Sequence, residues 1–343
     1  MPPLPTLTPD LPGIRGVIKQ QLEDFEVDEI PAYEPSGKGD FLYLWVEKID
    51  LSAEQLTSHL AKFLKIAHQD IGMAGMKDRQ AITRQFVSVP ARCEPLLESI
   101  QHAGIRVLSV ARHRNKLRTG HLKGNRFSIL VRDSVPGAET RAAAIADRIR
   151  QKGFANYFGD QRFGRDGETL QLGCELLRGT KTPGDIARVR RKFLLRLALS
   201  AVQSHLFNLV LAERITDGLI DQVLVGDVMQ VVESGGPFVV EDVAREQPRF
   251  DGREIVTTGP LFGPKMKQPL GDIAARESRV LEQFQLEPVA FTRYANLTSG
   301  TRRPFLIWPE NLQVEPEPDG IRLRFTLPAG CYATVLLGEF QKL

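Results

Sequence analysis

The strand nearest the carboxyl end constrains this chain more than any other feature. Residues 321–327 alternate apolar Ile321, Leu323, Phe325 and Leu327 with polar Arg322, Arg324 and Thr326, then stop at Pro328-Ala329-Gly330. Such alternation marks a half-buried strand, but one strand cannot pair its own backbone groups and is too short to form a domain. Its partners must come from earlier in the chain. The first third offers them at 13–19, 25–30, 41–46, 85–89, 105–110 and 127–131, separated by turn sequences such as Pro35-Ser36-Gly37-Lys38-Gly39-Asp40. One strong helix interrupts that series. Ser52-Ala53-Glu54-Gln55 is a capping box, and Leu56, Leu60, Phe63, Leu64 and Ala67 follow it at helical spacing.

The middle of the chain has another character. Residues 139–152 read as an alanine-rich helix, 192–215 as a long apolar helix and 272–284 as a further helix. Ser234-Gly235-Gly236-Pro237 reads as the turn of a hairpin between 223–232 and 238–240, and 259–264 as a loop. A length of 343 residues also exceeds the usual single domain. The expectation is an α/β (α+β) chain in which 1–152 and 301–343 share one sheet and 153–300 form an inserted domain.

Composition removes several classes of protein. With 42% hydrophobic and 25% charged residues the chain is an ordinary globular one. No uncharged apolar run approaches the roughly 18 residues of a membrane span, and Met1-Pro2-Pro3-Leu4-Pro5 lacks the basic start and apolar stretch of an export signal. The expected setting is cytoplasmic, with no membrane partner. Cys93, Cys174 and Cys331 are scattered and the six histidines show no ligand spacing, so neither a disulfide framework nor a metal is expected. Net charge is only +3, but the cations are segregated. Seven lie between Ala111 and Arg132 without an acid, and seven more between Arg178 and Arg196 with Asp185 alone among them. That pattern suits a surface facing phosphates, or simply a solvated basic face.

Three segments carry candidate chemistry. In Gly75-Met76-Lys77-Asp78-Arg79 a lone carboxylate stands between two cations, after glycines and before a strand. Adjacent cations keep a carboxylate ionised, and an ionised, positioned carboxylate is a competent nucleophile or base. On its own, such a triplet in a loop is usually a solvated turn. Gly72-Met73-Ala74-Gly75 resembles an RNA-clamping GXXG, a common spacing taken as incidental. Lys116-Leu117-Arg118-Thr119-Gly120-His121-Leu122-Lys123-Gly124-Asn125-Arg126-Phe127 mixes phosphate-neutralising cations with an amide and a ring. Asn156-Tyr157-Phe158-Gly159-Asp160-Gln161-Arg162-Phe163-Gly164 sets three aromatics beside Arg162, which suits stacking on unpaired bases or a hydrophobic plug. Neither a P-loop nor a strand–GxGxxG–helix occurs, so nucleotide cofactors lose ground.

With Glu23-Asp24-Phe25-Glu26-Val27-Asp28-Glu29-Ile30 and Leu327-Pro328-Ala329-Gly330-Cys331-Tyr332-Ala333-Thr334, these segments in this order closely resemble the TruD family of tRNA pseudouridine synthases over essentially the whole chain. The resemblance implies a discontinuous catalytic domain with a mixed or antiparallel sheet and an inserted α/β TruD-specific domain. It implies isomerisation of the uridine at position 13 in the D-arm of tRNA, tRNA-Glu in particular. Such an isomerisation needs no redox step or group donor, so no cofactor is expected, and the chain is expected to act as a monomer. Asp78 matches the catalytic aspartate. Phe25, Asn125 and Phe127 match the uracil pocket, Lys77 stands beside the aspartate to tune or orient it, and Tyr332 replaces a phenylalanine near the site. Lys116, Arg118, Lys123 and Arg162 are the expected RNA contacts. The alternatives are a non-catalytic RNA-binding module or chaperone, and a hydrolase using Asp78 as acid or base. The hydrolase lacks an obvious second carboxylate.

Overall fold

The computed structural model describes residues 4–342. Residues 1–3, the start of the stretch read as lacking an export signal, and Leu343 lie outside the described residues. In chain order the elements begin with β1 (Phe25–Pro31), β2 (Phe41–Ile49), α1 (Ala53–Leu64), β3 (Gly72–Met73), β4 (Ile82–Pro90), β5 (Ile105–His113), β6 (Leu122–Arg132) and α2 (Ala138–Lys152). Then come β7 (Phe154–Ala155), α3 (Glu168–Arg178), α4 (Arg191–Thr216), β8 (Val228–Val231), β9 (Pro237–Val239), α5 (Val243–Asp251), β10 (Ile255–Leu261), α6 (Gly271–Gln283), β11 (Thr301–Pro304) and β12 (Leu306–Ile307). The chain closes with β13 (Glu310–Glu317), β14 (Gly320–Pro328) and α7 (Ala333–Gln341). Two compact units divide it. One is built mainly from Leu11–Arg150 with Pro309–Ala333, the other mainly from Gln151–Trp308, and each takes in short terminal pieces.

The first unit is a mixed sheet in the order β13-β14-β6-β1-β4-β2-β5, with β3 added alongside β4. Only β1 and β4 run parallel. The late strand is β14, and it pairs with β6 from Gly320 opposite Arg132 to Pro328 opposite Gly124. Its outer neighbour β13 (ENLQVEPE) carries no sequence signal, because an edge strand with only Leu312 buried shows no apolar alternation. The capping box forms in full: Ser52 Oγ accepts from the Gln55 amide at 3.1 Å and Gln55 Oε1 accepts from the Ser52 amide at 2.8 Å. Helix α1 then packs Leu56, Leu60 and Leu64 onto Leu42, Leu44, Val46, Val87 and Val89. Each fully buried leucine contributes roughly 1.5–3 kcal/mol. Residues 13–19 are not a strand. Arg15 and Lys19 both take left-handed conformations (φ 56° and 61°), and only Val17 bridges to Arg132.

In the second unit β11-β10-β8-β9 form a four-stranded sheet, and β12 pairs with β7. The strands at 301–307 pair here rather than with β14, so the division between the units falls at Trp308. Gly259-Pro260, expected in a loop, lies inside β10, where Gly259 pairs with Arg303 and the Phe305 ring leaves no room for a Cβ. Helix α4 corrects another expectation. By length and composition it could cross a membrane, with a mean hydropathy of 1.4, yet 67% of that stretch is buried inside the protein. Its apolar surface builds a core, and Ala198 packs so closely on α3 that only glycine fits at Gly173. Two ion pairs lie in this core, Arg302 with Glu277 and Arg214 with Asp227.

Candidate active site

Asp78 lies in the irregular segment between β3 and β4, in the first unit. Its Oδ2 accepts from the Lys19 ammonium at 3.2 Å. Among the described residues Oδ1 has no hydrogen-bond or ion-pair partner, and the side chain is 34% exposed. The carboxylate is thus held by one oxygen and open at the other. The neighbouring cations do not hold it. Lys77, expected beside the carboxylate, turns inward and pairs with Glu29 at 2.7 Å, with both side chains nearly sealed from solvent. Arg79 turns outward to Asp50 at 3.4 Å. The segment has no regular repeat, so residues adjacent in sequence send their side chains to unrelated partners. Charge reaches Asp78 from distant positions instead: Lys19 at the carboxylate, and Lys48 at the main-chain carbonyl (2.6 Å).

The adjoining sheet face is aromatic. Phe25, Val27 and Glu29 alternate onto one side of β1, and the register sets Phe127 opposite Val27, Asn125 opposite Glu29, and Phe325 of β14 opposite Phe127. Phe127 stacks on Phe325 with centroids 5.2 Å apart and meets Phe25 edge-on at 6.4 Å. The Lys19 ammonium sits 4.1 Å from the centre of the Phe25 ring, so one cation faces both this ring and Asp78. Asn125 Oδ1 is buried and accepts no hydrogen bond among the described residues. An unpaired buried acceptor costs about 1–3 kcal/mol until a donor arrives. Tyr332 is half-buried on the turn after β14. Asp24, beside Phe25, is buried against Arg132 (2.8 Å). Burial pushes its carboxyl up, but hydrogen bonds from Arg132 and the Gln21 amide outweigh that and hold it below the usual carboxylate range.

The basic segment before β6 is tied to the Asp78 segment. The Gly120 amide donates to the Ala74 carbonyl at 2.8 Å, and the Leu117 amide donates to Ser88 Oγ at 2.9 Å. Tyr43 donates to the Asn115 carbonyl at 3.0 Å, and Tyr33 hydrogen-bonds His121 at 2.7 Å. Gly72 is required because any Cβ would overlap the Leu117 carbonyl oxygen, so this glycine lets two chain segments approach each other. Arg118 and Lys123 are exposed, while Lys116 donates to the Gln69 carbonyl. Arg162 belongs to the second unit, where its guanidinium lies 6.0 Å from the centre of the Phe158 ring.

Comparison with known proteins decides the family. The family model described as "tRNA pseudouridine synthase D (TruD)" matches residues 4–183 and 183–340. The chain belongs to the TruD family. A tRNA pseudouridine synthase D from Anaeromyxobacter dehalogenans strain 2CP-1 is 43% identical over 342 residues, covering 100% of this chain and 97% of that protein. One from Thermus thermophilus is 41% identical over 341 residues, covering 98% and 92%. The crystal structure of the putative tRNA pseudouridine synthase D from Methanosarcina mazei superposes with a TM-score of 0.74 at 26% identity, covering 97% of this chain and 95% of that one. TruD enzymes are isomerases that act on tRNA, and this chain has their fold.

Within that TruD fold Asp78, Phe25, Asn125 and Phe127 share one unit, with Lys19, Lys48, Glu29 and Phe325 added to the same neighbourhood. The added residues are not legible from local spacing. Lys19 is a single lysine at the end of a segment read only as a strand and Lys48 lies two residues past another, and their partners become evident only from the fold.

Proposed function

We propose that this TruD enzyme converts the uridine at position 13 in the D-arm of tRNA to pseudouridine, tRNA-Glu being the leading substrate, with Asp78 as the carboxylate that acts on the nucleotide. The first unit is the catalytic domain in this reading, and the second is the inserted domain. The reaction breaks the N-glycosidic bond, turns the uracil and joins its C5 to the ribose C1′. The C5 proton is lost and N1 gains one, so no redox partner or group donor is consumed.

The observation that carries the proposal is the unpartnered oxygen of Asp78, held beside an aromatic sheet face by a lysine on its other oxygen. A stacked uridine is out of reach and must first be extruded, at a cost of a few kcal/mol. Stacking on an aromatic ring returns about 1–3 kcal/mol. The Asn125 Oδ1 has no donor among the described residues, and the N3–H of uracil is a donor of that kind. Enclosing the detached base keeps water from completing a hydrolysis instead. Exposed Arg118 and Lys123 give the phosphate backbone its counter-charge.

Pseudouridine mapping of total tRNA from cells with and without this gene tests the proposal. Loss of the modification at position 13 in the knockout, restored by the wild-type gene, is the expected result. A position-13 pseudouridine that persists without the gene, or loss at another position alone, contradicts it.

A further inference from the structure

Lys48 is a buried cation that the reaction as drawn above does not use. It lies in β2, opposite Thr83 of β4 and Ile105 of β5, and its side chain is completely enclosed. Its ammonium donates to two main-chain carbonyls, Leu51 at 2.6 Å and Asp78 at 2.6 Å. Among the described residues no carboxylate lies within ion-pair distance of it. A buried ammonium without a counter-ion is costly, and a leucine or methionine of similar volume would pack there without that cost. Holding the β2–α1 turn alone does not call for a charge. The second bond is the informative one, because it fixes the backbone of the residue whose carboxylate faces the nucleotide.

Building on the assignment of Asp78, we propose that Lys48 is a positioning residue for the isomerisation: its ammonium pins the Asp78 carbonyl so that the carboxylate is already oriented when the uridine arrives. Lys19 restrains the carboxylate from one side, while Lys48 restrains the main chain from within the sheet. Two anchors on different atoms define the side-chain direction, as one would not. A displacement of about 1 Å at a reacting group costs on the order of 100-fold in rate, so the anchor acts on kcat rather than on tRNA affinity.

The charge surroundings make this anchor sensitive to pH. Burial pulls the Lys48 ammonium down to about 8, Asp78 and Asp50 oppose that fall, and Lys77 adds to it. Its proton is therefore held below that pH and lost as the pH rises through it. A neutral amine donates more weakly to carbonyls than an ammonium does, so the grip on Asp78 loosens on the alkaline side.

The experiment compares wild type, Lys48→Met and Asp78→Asn by single-turnover isomerisation of a tRNA transcript at saturating enzyme across pH, with filter-binding affinities and circular dichroism alongside. The expected result for Lys48→Met is native circular dichroism, a tRNA Kd within about threefold and a rate lower by about 100-fold. The wild type should show an alkaline limb near pH 8 that Lys48→Met lacks, which separates it from ionisation of the uracil common to both. A Lys48→Met rate within about threefold of wild type, or the same limb in both proteins, overturns the inference. An inactive Asp78→Asn beside an unimpaired Lys48→Met leaves the Asp78 assignment standing and removes only the lysine. An active Asp78→Asn removes both. If Lys48→Met does not fold, Lys48→Arg takes its place, because a guanidinium keeps its charge across this range: a limb near pH 8 in wild type that Lys48→Arg lacks supports the anchor, and the same limb in both, or a flat wild-type profile, overturns it.

Discussion

Asp78 offers one oxygen to Lys19 and leaves the other open, an arrangement that restrains a carboxylate without neutralising both of its oxygens. Replacing Lys19 with methionine removes the restraint and the cation over Phe25 together. The rate of isomerisation should then fall by about 10- to 100-fold with tRNA affinity within about threefold, measured by single-turnover assay and filter binding. A matching loss of affinity would make Lys19 a phosphate contact instead. Asp78, Phe25, Asn125 and Phe127 were legible as candidates because they sit in motifs whose order along the chain resembles a known family. Their partners were not. Lys77 adjoins Asp78 in sequence but faces Glu29, whereas Lys19 and Lys48 reach it from 59 and 30 positions away. Sequence adjacency decides side-chain meeting only along a regular element, and the segment around Asp78 has none.

At the scale of elements, the basic segment and the Asp78 segment form one body. Gly120 bonds to Ala74, Leu117 to Ser88, and two tyrosines hold Asn115 and His121. In the proposed reading, a phosphate gripped by Arg118 or Lys123 would be registered against the loop that carries the carboxylate. Neutralising Lys116, Arg118 and Lys123 together should weaken tRNA binding and flatten its dependence on salt. The log–log slope should drop by roughly 0.7–0.9 for each phosphate left unneutralised. Lys116 already donates to the Gln69 carbonyl, so its share should be the smallest. An unchanged slope would move the phosphate footprint away from this segment. The charge run marks this segment as a candidate surface, but the straps beneath it rest on Tyr43 of β2, Ser88 of β4 and Tyr33 just past β1. Periodicity likewise revealed α1 and α4 because each carries a strong apolar pattern, while β13 and α3 stayed hidden behind a polar edge and a mid-helix glycine.

For the whole molecule, the decisive fact is that the sheet bearing Asp78 is built from two distant parts of the chain. Strand β14 covers the length of β6 and brings Phe325 onto Phe127, and its residues come from the segment after Pro309 that closes this unit. A chain ending at Trp308 keeps Asp78 and every expected RNA contact, yet exposes β6 as a long unpaired edge. It should aggregate or lose the cooperative unfolding transition of the first unit, as followed by circular dichroism on heating. A native transition in that truncation would show that the first sheet stands without its late strands. The need for a returning strand could be read from 321–327 alone, since one strand must pair elsewhere, but its exact neighbour could not. Catalysis in this reading depends on the carboxylate of Asp78, and Asp78→Ala tests that dependence most directly in a single-turnover assay with a tRNA transcript. No pseudouridine should form, while tRNA still binds within about tenfold because phosphate contacts dominate affinity. Pseudouridine forming at the wild-type rate in that variant would contradict the catalytic role of Asp78 and everything built on it.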